Sequence, residues 1–187
     1  MSDKLRIVIG SDFRGFEYKE SLKKFLESDP RVLSVQDVGV TDGAVTGYPH
    51  IAVDAAEIVA DGEADRGLLV CGTGLGMAIS AGLVPGIRAV TVNDAHQVEG
   101  SVLLNNAQII TLGQMCVSIH QAHALVSQWL GLRYDPTSEW APLMDAMVDY
   151  EIEYARKSRP ETSQCRPRLR PSWLICMSWG STLRAPH

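Results

Sequence analysis

The sequence predicts a single α/β sandwich around an open, five-stranded parallel sheet. Short apolar runs alternate along the chain with stretches of helical period, the order expected of strand–helix units. One run, Gly67-Leu68-Leu69-Val70-Cys71, is apolar without interruption, as a central strand covered on both faces has to be. No internal repeat and no dividing linker interrupts residues 1–157. At 187 residues and 45% hydrophobic positions, the chain can bury one core of ordinary size.

The elements follow in order. Leu5-Arg6-Ile7-Val8-Ile9 is the first strand, closed by Gly10-Ser11-Asp12. A helix is predicted over 15–28, with Phe16, Leu22, Phe25 and Leu26 on its apolar side, and a second strand over 32–38. Pro49 opens a helix to residue 60, with Ile51, Ala55, Ile58 and Val59 at helical spacing. The third strand, 67–71, runs into a glycine loop and a short helix. Strand four is predicted over 87–92, a helix over 94–106, strand five over 108–112 and a helix over 117–130. A last helix over 139–156 is expected to turn Met144, Met147 and Val148 inward.

Composition narrows the function classes. The formal net charge is −5, which gives no footprint for a nucleic-acid backbone or an anionic membrane. The four cysteines, at 71, 116, 165 and 176, form no CxxC pair, so a reducing, cytoplasmic compartment is expected. No apolar run has signal-peptide or membrane-spanning length. The charge is unevenly placed: residues 1–157 hold 12 basic and 21 acidic side chains, whereas 158–187 hold five arginines and one glutamate. That tail also carries four prolines and two tryptophans without periodicity, so it is expected to be poorly ordered and to pack little on the domain.

In parallel α/β sheets ligands lie beyond the carboxyl ends of the strands. There the sequence delivers Asp12 with Phe13 and Arg14 from strand one, Cys71-Gly72-Thr73-Gly74-Leu75-Gly76 from strand three, and Asp94 from strand four. Alternating glycines let backbone N–H groups face an anion or a developing oxyanion. A dinucleotide loop is weakly supported, because the spacing is GxGxG and follows the third strand, and no lysine follows for a P-loop. His120 and His123 share a helix face, but no third ligand joins them and Cys116 is only nearby, so no metal is expected. Cys71 is open to two readings: a small apolar residue ending a strand, or a thiol beside loop N–H groups that serves as base or nucleophile. Asp12 either caps the following helix or converges on the same crevice.

The quoted segments go further than a pattern. Gly10-Ser11-Asp12, Gly15-Phe16 with Tyr18-Lys19, Asp37-Val38-Gly39-Val40, Tyr48-Pro49-His50, Asp65-Arg66, Cys71 to Gly76, Pro85-Gly86-Ile87-Arg88-Ala89 and residues 101–114 resemble the ribose-5-phosphate isomerase type B and galactose-6-phosphate isomerase family, its fungal branch in particular. The resemblance implies a Rossmann-like domain and a homodimer, or a tetramer, whose active site is shared between subunits. It implies aldose–ketose interconversion of a small sugar phosphate through an enediolate, without cofactor. Cys71 falls on the family's base, Thr73 and Asp12 on groups that handle substrate oxygens, and the backbone of Gly72, Gly74, Leu75 and Gly76 on the loop that stabilises the enediolate. Tyr48 matches a pocket aromatic, and Asn105 an asparagine contributed by the neighbouring subunit.

The departures bear on substrate choice. Phe13 stands where the family pattern has histidine, Leu104 where it has a ring-opening histidine, and Met115 where it has an arginine. No later arginine pair lies between residues 134 and 143, which leaves Arg14, Arg88, Arg133 and His96 as candidate replacements. A tetrose 4-phosphate cannot close a five- or six-membered ring, so it loses less than ribose 5-phosphate when the ring-opening group is missing. The alternative reading is a catalytically weak sugar-phosphate-binding subunit.

Overall fold

The computed structural model describes residues 4–41 and 46–158. Its elements are β1 (Leu5–Ser11), α1 (Phe16–Ser28), β2 (Val32–Asp37), α2 (Tyr48–Ala60), β3 (Arg66–Cys71), α3 (Leu75–Ala81), β4 (Ala89–Thr91), α4 (Ala95–Leu103), β5 (Ile109–Gly113), α5 (Ile119–Gly131) and α6 (Ala141–Ser158). All five strands are parallel, in the order β2-β1-β3-β5-β4. The expected α/β sandwich with a five-stranded parallel sheet is the observed one, and β1 and β3 are neighbours.

The two faces follow from the route of the chain. Crossovers leading from β2 to β3 and from β3 to β4 run one way along the sheet, and those from β1 to β2 and β4 to β5 run the other. With one handedness throughout, the two directions must place their helices on opposite faces. Leu22 and Leu26 of α1, Val98 and Val102 of α4, and Leu125, Val126 and Trp129 of α5 accordingly share one core. Ile51, Ala55 and Val59 of α2 and Met77 and Ala81 of α3 share the other. Every residue of β3 is buried.

Several boundaries differ from the sequence reading, each for a local reason. Helix α4 stops at Leu103 rather than at 106: the N–H groups of Leu104 and Asn105 both turn back to the Gly100 carbonyl, and Asn106 adopts a left-handed φ of 43°. Asparagine tolerates that region better than most residues. Strand β4 shrinks to three residues because Gly86, at φ 80°, ends the preceding turn late. In α6 only Met144 of the expected inner side is buried, whereas Met147 and Val148 are 47% and 41% exposed. The tail expected beyond Ser158 lies outside the described residues. Among the described residues no helix is long and apolar enough to cross a membrane.

Two buried cations tie helices to the sheet. Lys19 of α1, 1% exposed, reaches Asp37 at 2.9 Å and the Val40 carbonyl at 2.9 Å, and Lys23 meets the same carboxylate at 3.0 Å. They clamp the carboxyl end of β2 beside that of β1, where the Val40 N–H continues the ladder to the Ser11 carbonyl. At the other end of the sheet, Arg66 donates to the carbonyls of Trp129 and Leu132, adding a second donor to each at the end of α5. Burial, helped by the nearby Arg133 charge, pushes Arg66 down to about 10.

The Lys19 clamp makes a stability prediction. Burial alone would raise Asp37, but hydrogen bonds from Lys19, Lys23 and the Gly39 amide outweigh it and hold the carboxyl below its ordinary value. Its contribution is therefore complete above the ordinary aspartate value of about 3.9 and is lost as the pH falls through the lower folded value. Asp37→Asn should lower the unfolding free energy at neutral pH by about 2 kcal/mol, since the buried Lys19 ammonium loses one of its two carboxylates and keeps Glu20, at 2.9 Å, with the Val40 carbonyl. Denaturant melts between neutral and acid pH should show the difference between the two proteins shrinking as the pH drops below about 4.

Candidate active site

Strand register brings the chemistry together. Ser11 pairs with Val70 across β1 and β3, so Asp12 and Cys71 leave the sheet side by side. Cys71 pairs with Gly113 of β5 on its other flank, and the loops keep pairing past the strands: the N–H groups of Gln114 and Met115 donate to the carbonyls of Cys71 and Gly72, both at 2.9 Å. Gly113 is required at this approach, because a Cβ there would lie 2.7 Å from the Thr73 carbonyl group. The loops after β1, β3 and β5, with the segment that leads into α2, surround a cavity of about 480 Å³ lined by Asp12, Phe13, Arg14, Tyr48, Cys71 and Thr73, with Thr46, Gly47, Gly72, Gly76 and Met115 completing it. That is an ordinary size for a small-molecule site.

Cys71 is a buried free thiol at the cavity floor, 6% exposed. The chain folds around its sulfur: Gly74 turns left-handed at φ 83°, and its N–H donates to Cys71 Sγ at 3.1 Å. That N–H therefore serves the sulfur and is not free for a ligand. Asp12 is also buried, and its Oδ1 accepts the Arg14 N–H at 3.0 Å, so the side chain closes the turn ahead of α1 while Gly15 holds the N-cap position. Burial raises the Asp12 carboxyl above its ordinary value, against the pull of the Arg14 and Gly15 amides and the Arg14 charge. It keeps a proton more readily than a surface aspartate and is suited to exchange one with a hydroxyl or carbonyl oxygen.

The remaining candidates divide. Tyr48 opens α2 and packs its ring against Gly76 at the cavity wall. Leu75 begins α3, is 58% exposed and, like Gly74, does not line the cavity. Asp94 caps α4 by accepting the Gln97 N–H at 2.8 Å and does not line the cavity. Asn105 and Leu104 are exposed beyond the end of α4 and likewise stand apart from it. Met115 does line it, so the position of the missing arginine faces the site. Of the arginines considered as replacements, Arg88 donates to the Asn106 carbonyl and Arg133 to those of Leu130 and Leu132. Arg14 alone among them lines the cavity, leaning over Phe13 with 5.4 Å between guanidinium and ring centre.

A metal is not suggested by what surrounds the histidines. His123 Nε2 bonds Ser21 Oγ at 2.9 Å, and its ring stands edge-on to Phe25. Burial, with the neighbouring His120, lowers its proton affinity. Among the described residues no three His, Cys, Asp or Glu side chains converge as ligands. Sequence reasoning overlooked Thr111, a hydroxyl in an otherwise apolar strand whose oxygen holds the Gly74 carbonyl at 2.9 Å; the polar interruption in Ile-Ile-Thr-Leu was the available signal.

Comparison with known proteins matches this geometry to one group of enzymes. The D-erythrulose-4-phosphate isomerase 2 of Mycolicibacterium smegmatis is 56% identical over 150 residues, spanning 79% of this chain and 97% of that protein. The ribose-5-phosphate isomerase B of Escherichia coli is 35% identical over 130 residues, 70% of this chain and 86% of its own length. The structure of Clostridium thermocellum ribose-5-phosphate isomerase B superposes with a TM-score of 0.74 at 34% identity, covering 80% of this chain and 99% of that one. The model of the Ribose/Galactose Isomerase family matches residues 7–145, which include every loop that builds the cavity. A fold shared with sugar-phosphate isomerases, its strand ends converging on Cys71, and relatives that are sugar-phosphate isomerases by name make this chain a member of the ribose/galactose isomerase family.

Proposed function

We propose that the protein interconverts an aldose phosphate and its ketose, with a tetrose 4-phosphate as preferred substrate and Cys71 as the proton-transfer base. The observation that carries the reading is the Cys71 sulfur at the floor of the cavity, held by the Gly74 N–H and flanked by Asp12. Its sulfur removes a proton from the carbon next to the carbonyl, and the C–H electron pair moves through the C–C bond onto the carbonyl oxygen. The enediolate formed is met by amides of the Gly72–Gly76 loop other than that of Gly74, which stays on the sulfur. Thr73 and Asp12 move a proton between the two oxygens, and the thiol returns its own to the neighbouring carbon. No atom is gained or lost. Arg14, the arginine that faces the cavity, receives the phosphate.

Three features favour the short substrate. Leu104 and Met115 offer no proton and no charge at positions where the family pattern has both. A tetrose 4-phosphate needs no ring opening. The Mycolicibacterium relative, named for D-erythrulose 4-phosphate, is more similar than the ribose-5-phosphate isomerase B of Escherichia coli.

The protein acts as a homodimer in this reading. Asn105 lies outside the cavity of its own chain, and an exposed apolar face runs along α6 through Leu143, Met147, Tyr150 and Tyr154. A large apolar face of this kind suits a subunit contact. Sedimentation at micromolar concentration should give a dimer; a fully active monomer would reject the shared site.

Steady-state assays test the rest. Cys71→Ser should reduce kcat by at least roughly 100-fold, the scale for losing a general base. The unmodified enzyme should show a higher kcat/KM for erythrose 4-phosphate than for ribose 5-phosphate, and Leu104→His should help the pentose selectively. Equal rates on both sugars, without that selective gain, would reject the substrate assignment and leave the isomerase class standing. Binding of sugar phosphates without turnover of any would instead favour a non-catalytic binding subunit.

A further inference from the structure

Strand β5 is buried throughout and apolar except at Thr111, which is fully enclosed. A hydroxyl sealed inside a sheet needs a partner. Thr111 Oγ1 donates to the Gly74 carbonyl oxygen at 2.9 Å and lies 2.9 Å from Oγ1 of Thr91, its register partner on β4. Each hydroxyl has one proton, and a carbonyl only accepts. The Thr111 proton therefore goes to Gly74, and Thr91 is the donor to Thr111. This fixes the direction of a relay from Thr91 to Thr111 to Gly74.

The relay ends on the residue that holds the reactive sulfur. Gly74 is left-handed, and its two flanking peptides have different partners. The N–H on one side donates to Cys71 Sγ at 3.1 Å, while the carbonyl on the other accepts from Thr111 and from Ala78 N–H, at 3.1 Å, opening α3. Glycine is the residue most free to rotate about these two bonds, so something outside it must fix its angles. No side chain could stand there instead: a Cβ on Gly74 would lie 2.9 Å from Thr91 Cγ2 and 3.1 Å from Thr111 Oγ1.

We infer that Thr111, oriented by Thr91, is a positioning residue for Cys71. It locks the Gly74 turn so that its N–H stays on the sulfur through the catalytic cycle. This deepens the reading of Cys71 as the base and depends on it. Thr111 does not line the cavity, so it acts through the loop and makes no substrate contact. When the proton is on the substrate the sulfur is a thiolate, and an N–H aimed at it is then a charge-assisted donor. A turn free to rotate would surrender that donor when it matters most.

The test compares Thr111→Val, which keeps the shape and removes the proton, with Thr111→Ser, which keeps a hydroxyl, and Thr91→Val, which removes the second donor. Two quantities are read on the full chain. One is kcat and KM for erythrose 4-phosphate. The other is the rate at which iodoacetamide alkylates Cys71 at neutral pH, separated from Cys116 by peptide mass spectrometry. T111V should lower kcat about fivefold to tenfold, the scale of one buried hydrogen bond, with KM changed less than about twofold. Cys71 alkylation should slow with it, Cys116 alkylation should not, and T111S should restore both. T91V should act in the same direction but less, because it weakens the relay without breaking its last link. Undiminished kcat and undiminished Cys71 alkylation in T111V overturn the inference, as does a loss that T111S fails to restore or that Cys116 shares. If T111V does not fold, T91V, at a half-buried site on the edge strand, decides by the same criteria. Failure of the underlying reading looks different: C71S would then keep its turnover, whatever the threonine variants do to alkylation.

Discussion

Strand β3 is hydrogen-bonded along both edges and covered on both faces, and this double constraint governs where the reactive groups emerge. A strand held by β1 on one side and β5 on the other cannot slip in register without breaking two ladders. Its last residue, Cys71, is therefore fixed relative to Asp12 and Gly113 before any loop is considered. The loops then carry the pairing past the strand ends, with Val40 onto Ser11 beyond the β1–β2 ladder and Gln114 and Met115 onto Cys71 and Gly72 beyond the β3–β5 ladder. The cavity is less a hollow between domains than the place where a well-pinned sheet stops.

Much of this was legible in the chain. The unbroken apolar run at 67–71 announced a central strand, and the glycines after it announced a tight loop at its carboxyl end, where Gly74 turns left-handed. Helix positions were readable wherever one face is buried, as for Leu22 and Leu26 or Ile51, Ala55 and Val59. What failed to show was anything decided by partners distant in sequence. Nothing local says that β5 inserts between β3 and β4, because strand order is set by crossover direction and not by composition. Lys19 reads as a surface residue from its type, yet it is buried because Asp37 and Val40 wait eighteen and twenty-one positions away. The apolar pattern of α6 was real, but most of that face is exposed in the single chain.

The site residues were legible to different degrees for the same reason. Cys71, Thr73, Asp12 and Tyr48 belong to segments whose strands bring them together, and all four line the cavity. Asp94 was drawn in by its position after a strand, but β4 lies at the far edge of the sheet, so its carboxyl caps α4 instead. Thr111 and Thr91 sit on neighbouring strands and meet through register. The pairing is visible once the sheet order is known and invisible before it.

The Phe13–Arg14 contact has a consequence for the freedom of the guanidinium beside the cavity. A free arginine on a loop samples many rotamers, and ordering it on a ligand costs about 1.5–2 kcal/mol of side-chain entropy. Here the guanidinium already leans on the exposed face of the Phe13 ring. A side chain already narrowed to a few poses loses less freedom on contact, so part of the ordering precedes binding. An aromatic ring that carries no charge and donates no hydrogen bond thus contributes through its neighbour, as a rest that keeps the cation beside the cavity.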